Sequence, residues 1–168
     1  MTAEKNIILT SDQIQQKTKR IAYQIYESNS SEESIVIAGI AENGYIFATQ
    51  IAKFLEEISS LKIDMCKVVI DKKNPIKPIQ TSIDSSLYEN KSLVLVDDVL
   101  NSGATLIYGI KHFLDVPLKQ FKTAVLVNRN HKKYPVKADY KGVSLSTTLQ
   151  EHVTVEFTED GKALAFLM

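Results

Sequence analysis

Three stretches of this chain, Ile35–Ile40, Leu93–Val96 and Thr123–Val127, are apolar almost without a break and rich in β-branched residues. A strand with one wet face alternates apolar and polar side chains, whereas a strand covered on both faces does not. Such runs belong to a parallel sheet with helices packed on each side. The segments between them agree: Phe47, Ile51, Phe54, Leu55 and Ile58 in one, and Leu106, Ile107, Ile110, Phe113 and Leu114 in another, recur at helical spacing. Leu61–Ile70 reads as a further strand. The fold class that follows is α/β, an open, mostly parallel twisted sheet flanked by helices.

Near the N-terminus, Thr10-Ser11-Asp12-Gln13 has the form of a capping box. Ile14, Thr18, Ile21, Ala22 and Ile25 follow at helical spacing, which predicts a helix through about Glu27. Between 71 and 90 the rhythm breaks: Pro75, Pro78, three lysines and several Ser and Asp residues surround apolar positions with no sustained period. A long mobile loop is expected there. The strand Ser92–Val96 should end abruptly at Asp97-Asp98, and Pro117 should close the helix that follows. Shorter pieces fill the remainder, among them Val153–Phe157 with period-2 alternation.

The 168 residues, 44% of them hydrophobic, suit a single domain with a core of ordinary extent. Twenty basic residues balance twenty acidic ones, so no chain-wide field draws in nucleic acid or anionic lipid. The single Cys66 cannot form an internal disulfide, and its apolar surroundings favour a buried inert thiol. The first residues lack a signal pattern, and no apolar run approaches the roughly 20 residues needed to cross a bilayer. A soluble cytoplasmic protein with no membrane contact is expected.

The chemistry concentrates in Val96-Asp97-Asp98-Val99-Leu100-Asn101-Ser102-Gly103-Ala104-Thr105. In an open α/β sheet ligands bind beyond the carboxyl ends of the strands. Two adjacent carboxylates at such an end are costly unless they meet a cation or hydroxyl donors, and the hydroxyls of a ribose are such donors. Asn101 to Thr105 then offers backbone N–H groups at a helix N-terminus, two hydroxyls, and a glycine that permits close approach. These two features match the two ends of one ribose 5-phosphate. Taken singly, Ser102 or Thr105 is an ordinary N-cap; the whole string is less easily explained that way. Gly39-Ile40-Ala41-Glu42-Asn43-Gly44 has the glycine spacing of a P-loop, but Tyr45 and Ile46 stand where Lys and Ser/Thr are required.

Leu93–Leu106 resembles the signature of the type I phosphoribosyltransferases: an apolar strand, two acidic residues, and a Thr/Ser-Gly-x-Thr turn. Val125-Leu126-Val127-Asn128-Arg129-Asn130-His131 and Pro135-Val136-Lys137-Ala138-Asp139-Tyr140-Lys141-Gly142 are similar to segments of its pyrimidine-operon attenuation regulator and uracil phosphoribosyltransferase branch. The resemblance runs from about Ile8 to the end. It implies a phosphoribosyltransferase fold with a small C-terminal hood built from about 128–168. It also implies that Asp97 and Asp98 are the catalytic pair, holding the ribose hydroxyls of phosphoribosyl pyrophosphate and, through water, its Mg²⁺. Asn101, Ser102, Gly103, Ala104 and Thr105 would hold the 5-phosphate, with Val99 and Leu100 beside them in the binding site. Ala41, Glu42, Asn43 and Gly44 would lie at the pyrophosphate, and Asn128, His152 and Val153 near a nucleobase, uracil or a purine. A homodimer or homotetramer is implied as well.

The sequence departs from that branch at three places. Glu42 puts negative charge where pyrophosphate must sit and where the branch has arginines. The loop after 71 offers Lys72, Lys73 and Lys77 in place of an arginine-bearing motif. Asn128 and Asn130 replace the Asp and Gly of an Asp-Arg-Gly-His segment. Three functions therefore stand beside one another: a Mg²⁺-dependent phosphoribosyltransferase, a nucleotide or phosphoribosyl pyrophosphate sensor with little turnover, and an RNA-binding regulator. Lys17, Lys19, Arg20, Arg129, His131, Lys132 and Lys133 are the basic groups for RNA, which neutral net charge disfavours. His131 and His152 lack a carboxylate at triad or metal-ligand spacing, so loop roles are expected. Packing is the expected role for Tyr134 and Tyr140.

Overall fold

The computed structural model describes residues 5–146 and 151–168. In chain order it contains β1 (Asn6–Leu9), α1 (Ser11–Ser28), β2 (Ser34–Ile40), α2 (Asn43–Ile58), β3 (Lys62–Val69), β4 (Gln80–Thr81) and α3 (Ser85–Tyr88). These lead into β5 (Ser92–Leu100), α4 (Ala104–Phe113), β6 (Gln120–Asn128), β7 (Tyr140–Ser144), β8 (Val153–Phe157) and β9 (Ala163–Leu167). Six strands form one sheet in the order β4-β3-β2-β5-β6-β7, and β1-β9-β8 form a second, smaller sheet. In the large sheet every pairing is parallel except β3 with β4; the small one is antiparallel throughout.

The continuous apolar runs bury both of their faces. On β2, Ile35 and Ile37 join Phe47, Ile51 and Leu55 of α2 and Ile14, Ile21 and Ile25 of α1 in one core. Val36, Ala38 and Ile40 turn the other way, toward Cys66, Leu95, Leu106 of α4 and Phe113. The first core reaches into the small sheet through Leu9, Val155, Ala163 and Ala165. Helix α1 begins with the capping box: Gln13 N donates to Thr10 Oγ1 at 3.3 Å and Thr10 N donates to Gln13 Oε1 at 2.9 Å. All five of its predicted inward positions, Ile14, Thr18, Ile21, Ala22 and Ile25, are buried.

This topology fixes where a ligand can bind. From β2 the chain passes through α2 to β3 on one side, and β5 then pairs with β2 on the other. The exits of β2 and β5 lead to α2 and α4 on opposite faces, which opens a crevice at their carboxyl ends.

The structure differs from the sequence expectations in several places. Strand β5 continues through Asp97 and Asp98 to Leu100 instead of stopping at the carboxylates. The 71–90 segment is not one loop: β4 and α3 interrupt it, Val68 and Val69 pair with Thr81 and Gln80, and Tyr88 is buried edge-on against Phe113. Strand β1 carries too short a pattern to stand out and forms only by pairing with β9. Leu114, placed on the inner face of its helix, lies past the end of α4 and is exposed. Among the described residues no helix is long and apolar enough to cross a membrane.

Candidate functional site

Asp97 and Asp98 are both buried, near the carboxyl end of β5. Their backbone and each other satisfy part of their hydrogen-bonding capacity: Asp98 N donates to Asp97 Oδ1 and Val99 N donates to Asp98 Oδ1, each at 2.9 Å. The turn after β3 supplies the counter-charge, with Lys72 Nζ 3.3 Å from Asp97 Oδ1 and 3.9 Å from Asp98 Oδ1. Burial first, and the Asp98 carboxylate next, push the Asp97 carboxyl up to about 8, against the pull of Lys72. Burial works against the Lys72 ammonium, but the attraction of Asp97 and Asp98 outweighs it and holds that ammonium above its ordinary value.

Helix α2 closes on the pair from the other side. Asn43 Nδ2 donates to Asp98 Oδ2 at 3.2 Å and to Val155 O of β8 at 2.8 Å, tying the β2–α2 loop, the carboxylates and the small sheet together. A Cβ on Gly44 would stand 2.9 Å from Val96 O and 3.0 Å from Asp97 Oδ1, so only glycine lets the helix start so near. The Ala41–Glu42 peptide is cis. The Glu42 side chain is exposed and paired with Lys67 at 3.5 Å.

Downstream of the carboxylates the chain turns into α4 through Gly103, whose φ is +90°. A side chain there would be strained, and its Cβ would meet Val136 Cγ1 at 2.5 Å. Ser102 Oγ accepts from Ala104 N at 3.2 Å, and Ser102 O accepts from Lys133 N and Tyr134 N. Arg129 buttresses the turn: its backbone N donates to Leu100 O, and its guanidinium donates to Asn101 Oδ1 at 3.2 Å and Glu151 O at 2.6 Å. Lys72, Asp97, Val99, Leu100, Asn101, Ser102, Gly103, Ala104, Thr105 and Leu106 line one pocket. A ligand there meets the buried Asp97 carboxyl at one end and the N–H groups opening α4 at the other.

The other predicted residues, Asn128, His152 and Val153, do not line this pocket. Asn128, buried at the end of β6, donates to Ser144 Oγ at 3.4 Å and accepts from Asn130 N. Val153 packs against the main core, and His152 is exposed and backbone-paired with Met168. His131 is engaged through Nδ1 with Arg129, and Tyr140 donates to Ser28 Oγ at 2.7 Å. Arg129 was legible only as a basic group for RNA; its place beside Asn101 comes from the parallel pairing of β5 and β6. Among the described residues no cluster of three or more His, Cys, Asp or Glu side chains could hold a metal ion by itself.

A family model for the phosphoribosyl transferase domain matches residues 5–160. The chain belongs to this family. It is 34% identical to the bifunctional protein PyrR of Corynebacterium glutamicum, over 92% of this chain and 88% of that protein. With the bifunctional protein PyrR of Clostridioides difficile the identity is 32%, over 95% of each. Among solved structures, the hypoxanthine phosphoribosyltransferase of Trypanosoma cruzi superposes with a TM-score of 0.75 at 16% identity, covering 97% of this chain and 96% of that one. A hypoxanthine-guanine phosphoribosyltransferase from Bacillus anthracis gives 0.70 at 21% identity, covering 84% and 83%. At those identities the structures speak for the phosphoribosyltransferase fold, a mostly parallel α/β sheet.

Proposed function

We propose that the protein transfers a 5-phosphoribosyl group from phosphoribosyl pyrophosphate to a nucleobase, uracil or a purine, with release of pyrophosphate. The observation that carries this reading is that Lys72, Asp97 and the turn from Val99 to Leu106 share one pocket. Under this proposal a ribose 5-phosphate sets its 2- and 3-hydroxyls on Asp97 and Asp98 and its phosphate on the N–H groups of Ser102 to Thr105.

In this reading Asp97 and Asp98 accept hydrogen bonds from the ribose hydroxyls and orient the anomeric carbon, and their charge favours the positive charge that develops there as pyrophosphate departs. The β2–α2 loop, Ala41 to Gly44, faces the departing pyrophosphate. Asn43 keeps that loop in register with Asp98. Asn128, His152 and Val153 take the base side. Two buried carboxyl groups, with no third acidic or imidazole group clustered beside them among the described residues, fit a Mg²⁺ that arrives on the substrate and keeps most of its waters. When bound, that ion neutralises pyrophosphate charge. A single domain that assembles as a homodimer or homotetramer belongs to the same proposal, and light scattering tests the assembly.

A second reading is a sensor that binds phosphoribosyl pyrophosphate or a nucleotide with little turnover. It is favoured by the exposed Glu42 carboxylate in the pyrophosphate loop. RNA binding is disfavoured, because net charge is zero and Arg20 and Arg129 are spent on Lys141 O, Gly142 O, Asn101 and Glu151 O. The test is pyrophosphate release from phosphoribosyl pyrophosphate and Mg²⁺ with uracil, hypoxanthine, guanine, xanthine, adenine and orotate in turn. Release with one base supports the enzyme and names its acceptor. Thermal stabilisation by the substrate without release supports the sensor, and neither signal contradicts both readings.

A further inference from the structure

Lys67, at the carboxyl end of β3, is the one cation the structure pairs with the β2–α2 loop among the described residues. Its Nζ lies 3.5 Å from Glu42 Oε1 and 5.6 Å from the centroid of the Tyr45 ring. The backbone beneath is fixed: Lys67 N donates to Ser82 Oγ at 2.8 Å, Ser82 N donates to Lys67 O at 3.0 Å, and Ala41 N donates to Val68 O at 2.8 Å. The freedom at this place therefore belongs to the two side chains.

Resting on the site reading above, the geometry points to Lys67 as the residue that gives the site its affinity for pyrophosphate, with Glu42 as an internal competitor that holds that affinity down. Ala41-Glu42-Asn43-Gly44 contains no cation of its own, and a ligand carrying several negative charges needs one. Lys72 pairs with Asp97 and Asp98, at the ribose end of the site, and not with this loop. Lys67 is committed only to Glu42, whose side chain is 76% exposed against 39% for Lys67. An ion pair so open to water is weak, and a phosphate oxygen can take the place of the carboxylate. The Tyr45 ring favours an ammonium held beside the loop. An ammonium is also a point charge, so one oxygen of pyrophosphate suffices where an arginine fork would ask for two. Lys67 and Glu42 together form a replacement for a loop arginine, with the anion's affinity set by the difference between them.

The test is calorimetric titration of magnesium pyrophosphate and, separately, ribose 5-phosphate into the full chain. The variants are Lys67→Met, Lys67→Arg, Glu42→Gln and the Lys67→Met/Glu42→Gln pair. Lys67→Met is expected to weaken pyrophosphate about tenfold while leaving ribose 5-phosphate within about twofold, and Lys67→Arg to restore it. Glu42→Gln tightens pyrophosphate several-fold in the wild-type background and markedly less once Lys67 is gone. Unchanged pyrophosphate binding in Lys67→Met, with ribose 5-phosphate still bound, overturns this inference and leaves the site reading standing. Equal weakening of both ligands overturns it too, because it marks a structural role. Failure of the wild type to bind either ligand overturns the site reading itself.

Discussion

Lys72 Nζ lies 3.3 Å from Asp97 Oδ1, so a side chain from the irregular turn after β3 reaches a carboxyl group buried inside β5. Without it two adjacent carboxyl groups would sit near the carboxyl end of the strand with only each other, two backbone N–H groups and the Asn43 amide for company. A ribose diol entering the pocket competes for the same oxygens, which couples the turn at 71–79 to occupancy of the site.

The first prediction concerns stability and pH. Asp97 stands at about 8 in the folded protein, against about 3.9 in an unfolded chain. Between those values the folded protein keeps the proton and the unfolded chain does not. The stability this proton contributes is complete below about pH 4 and is lost as pH rises through about 8. Asp97→Asn carries no such proton. Its melting temperature should match wild type near pH 4 and exceed it by a margin that widens as pH rises toward 8. Melts from pH 4 to 9 check this, and a gap that does not widen with pH counts against it.

Ligand binding should release a proton for the same reason. At pH 7 the free protein holds the Asp97 proton, while hydroxyl donors and a divalent cation favour the carboxylate. Calorimetry of ribose 5-phosphate with Mg²⁺ at pH 7, in buffers of differing ionisation enthalpy, should show release of up to about one proton. The release should shrink at pH 9 and vanish in Asp97→Asn.

Gly103→Val should remove ligand-induced stabilisation while the unliganded protein stays folded. The position has φ +90° and an added Cβ would meet Val136 at 2.5 Å, which together cost about 1–3 kcal/mol. The expected result is a melting temperature lowered by several degrees and no shift with ribose 5-phosphate. A full ligand shift would place the phosphate elsewhere.

Arg129→Lys should loosen the same turn from behind. Lysine cannot reproduce the guanidinium bonds to Asn101 Oδ1 and Glu151 O. A loss of about 1–3 kcal/mol of stability should accompany weaker phosphate binding. Unchanged affinity with lowered stability would confine Arg129 to the fold.

What could be read in the sequence follows from which forces are local. The runs at Ile35–Ile40 and Leu93–Val96 announce a doubly covered sheet because no other environment accepts them, and the Thr10–Gln13 capping box needs only its own four residues. Strand β1 exists because β9 pairs with it, and β4 because β3 does. Neither could be seen from its own short segment. Asp97 and Asp98 were legible as the centre of the site, but not as part of a strand, since their charge is met by Lys72 from 25 positions away and by Asn43 from 55 positions before Asp98. The same distance hid Lys67: Glu42 reads alone as a defect in an anion loop, and only the register of β2 with β3 brings its partner beside it.

The central claim is that one pocket holds both ends of a ribose 5-phosphate, and a crystal structure with ribose 5-phosphate and Mg²⁺ bound tests it most directly. The account predicts the phosphate on the backbone N–H groups of Ser102 to Thr105 and the ring hydroxyls within hydrogen-bonding distance of Asp97 and Asp98, with Lys72 moved off the carboxylates. Sugar phosphate bound away from that turn, with Lys72 still seated on Asp97, would contradict it.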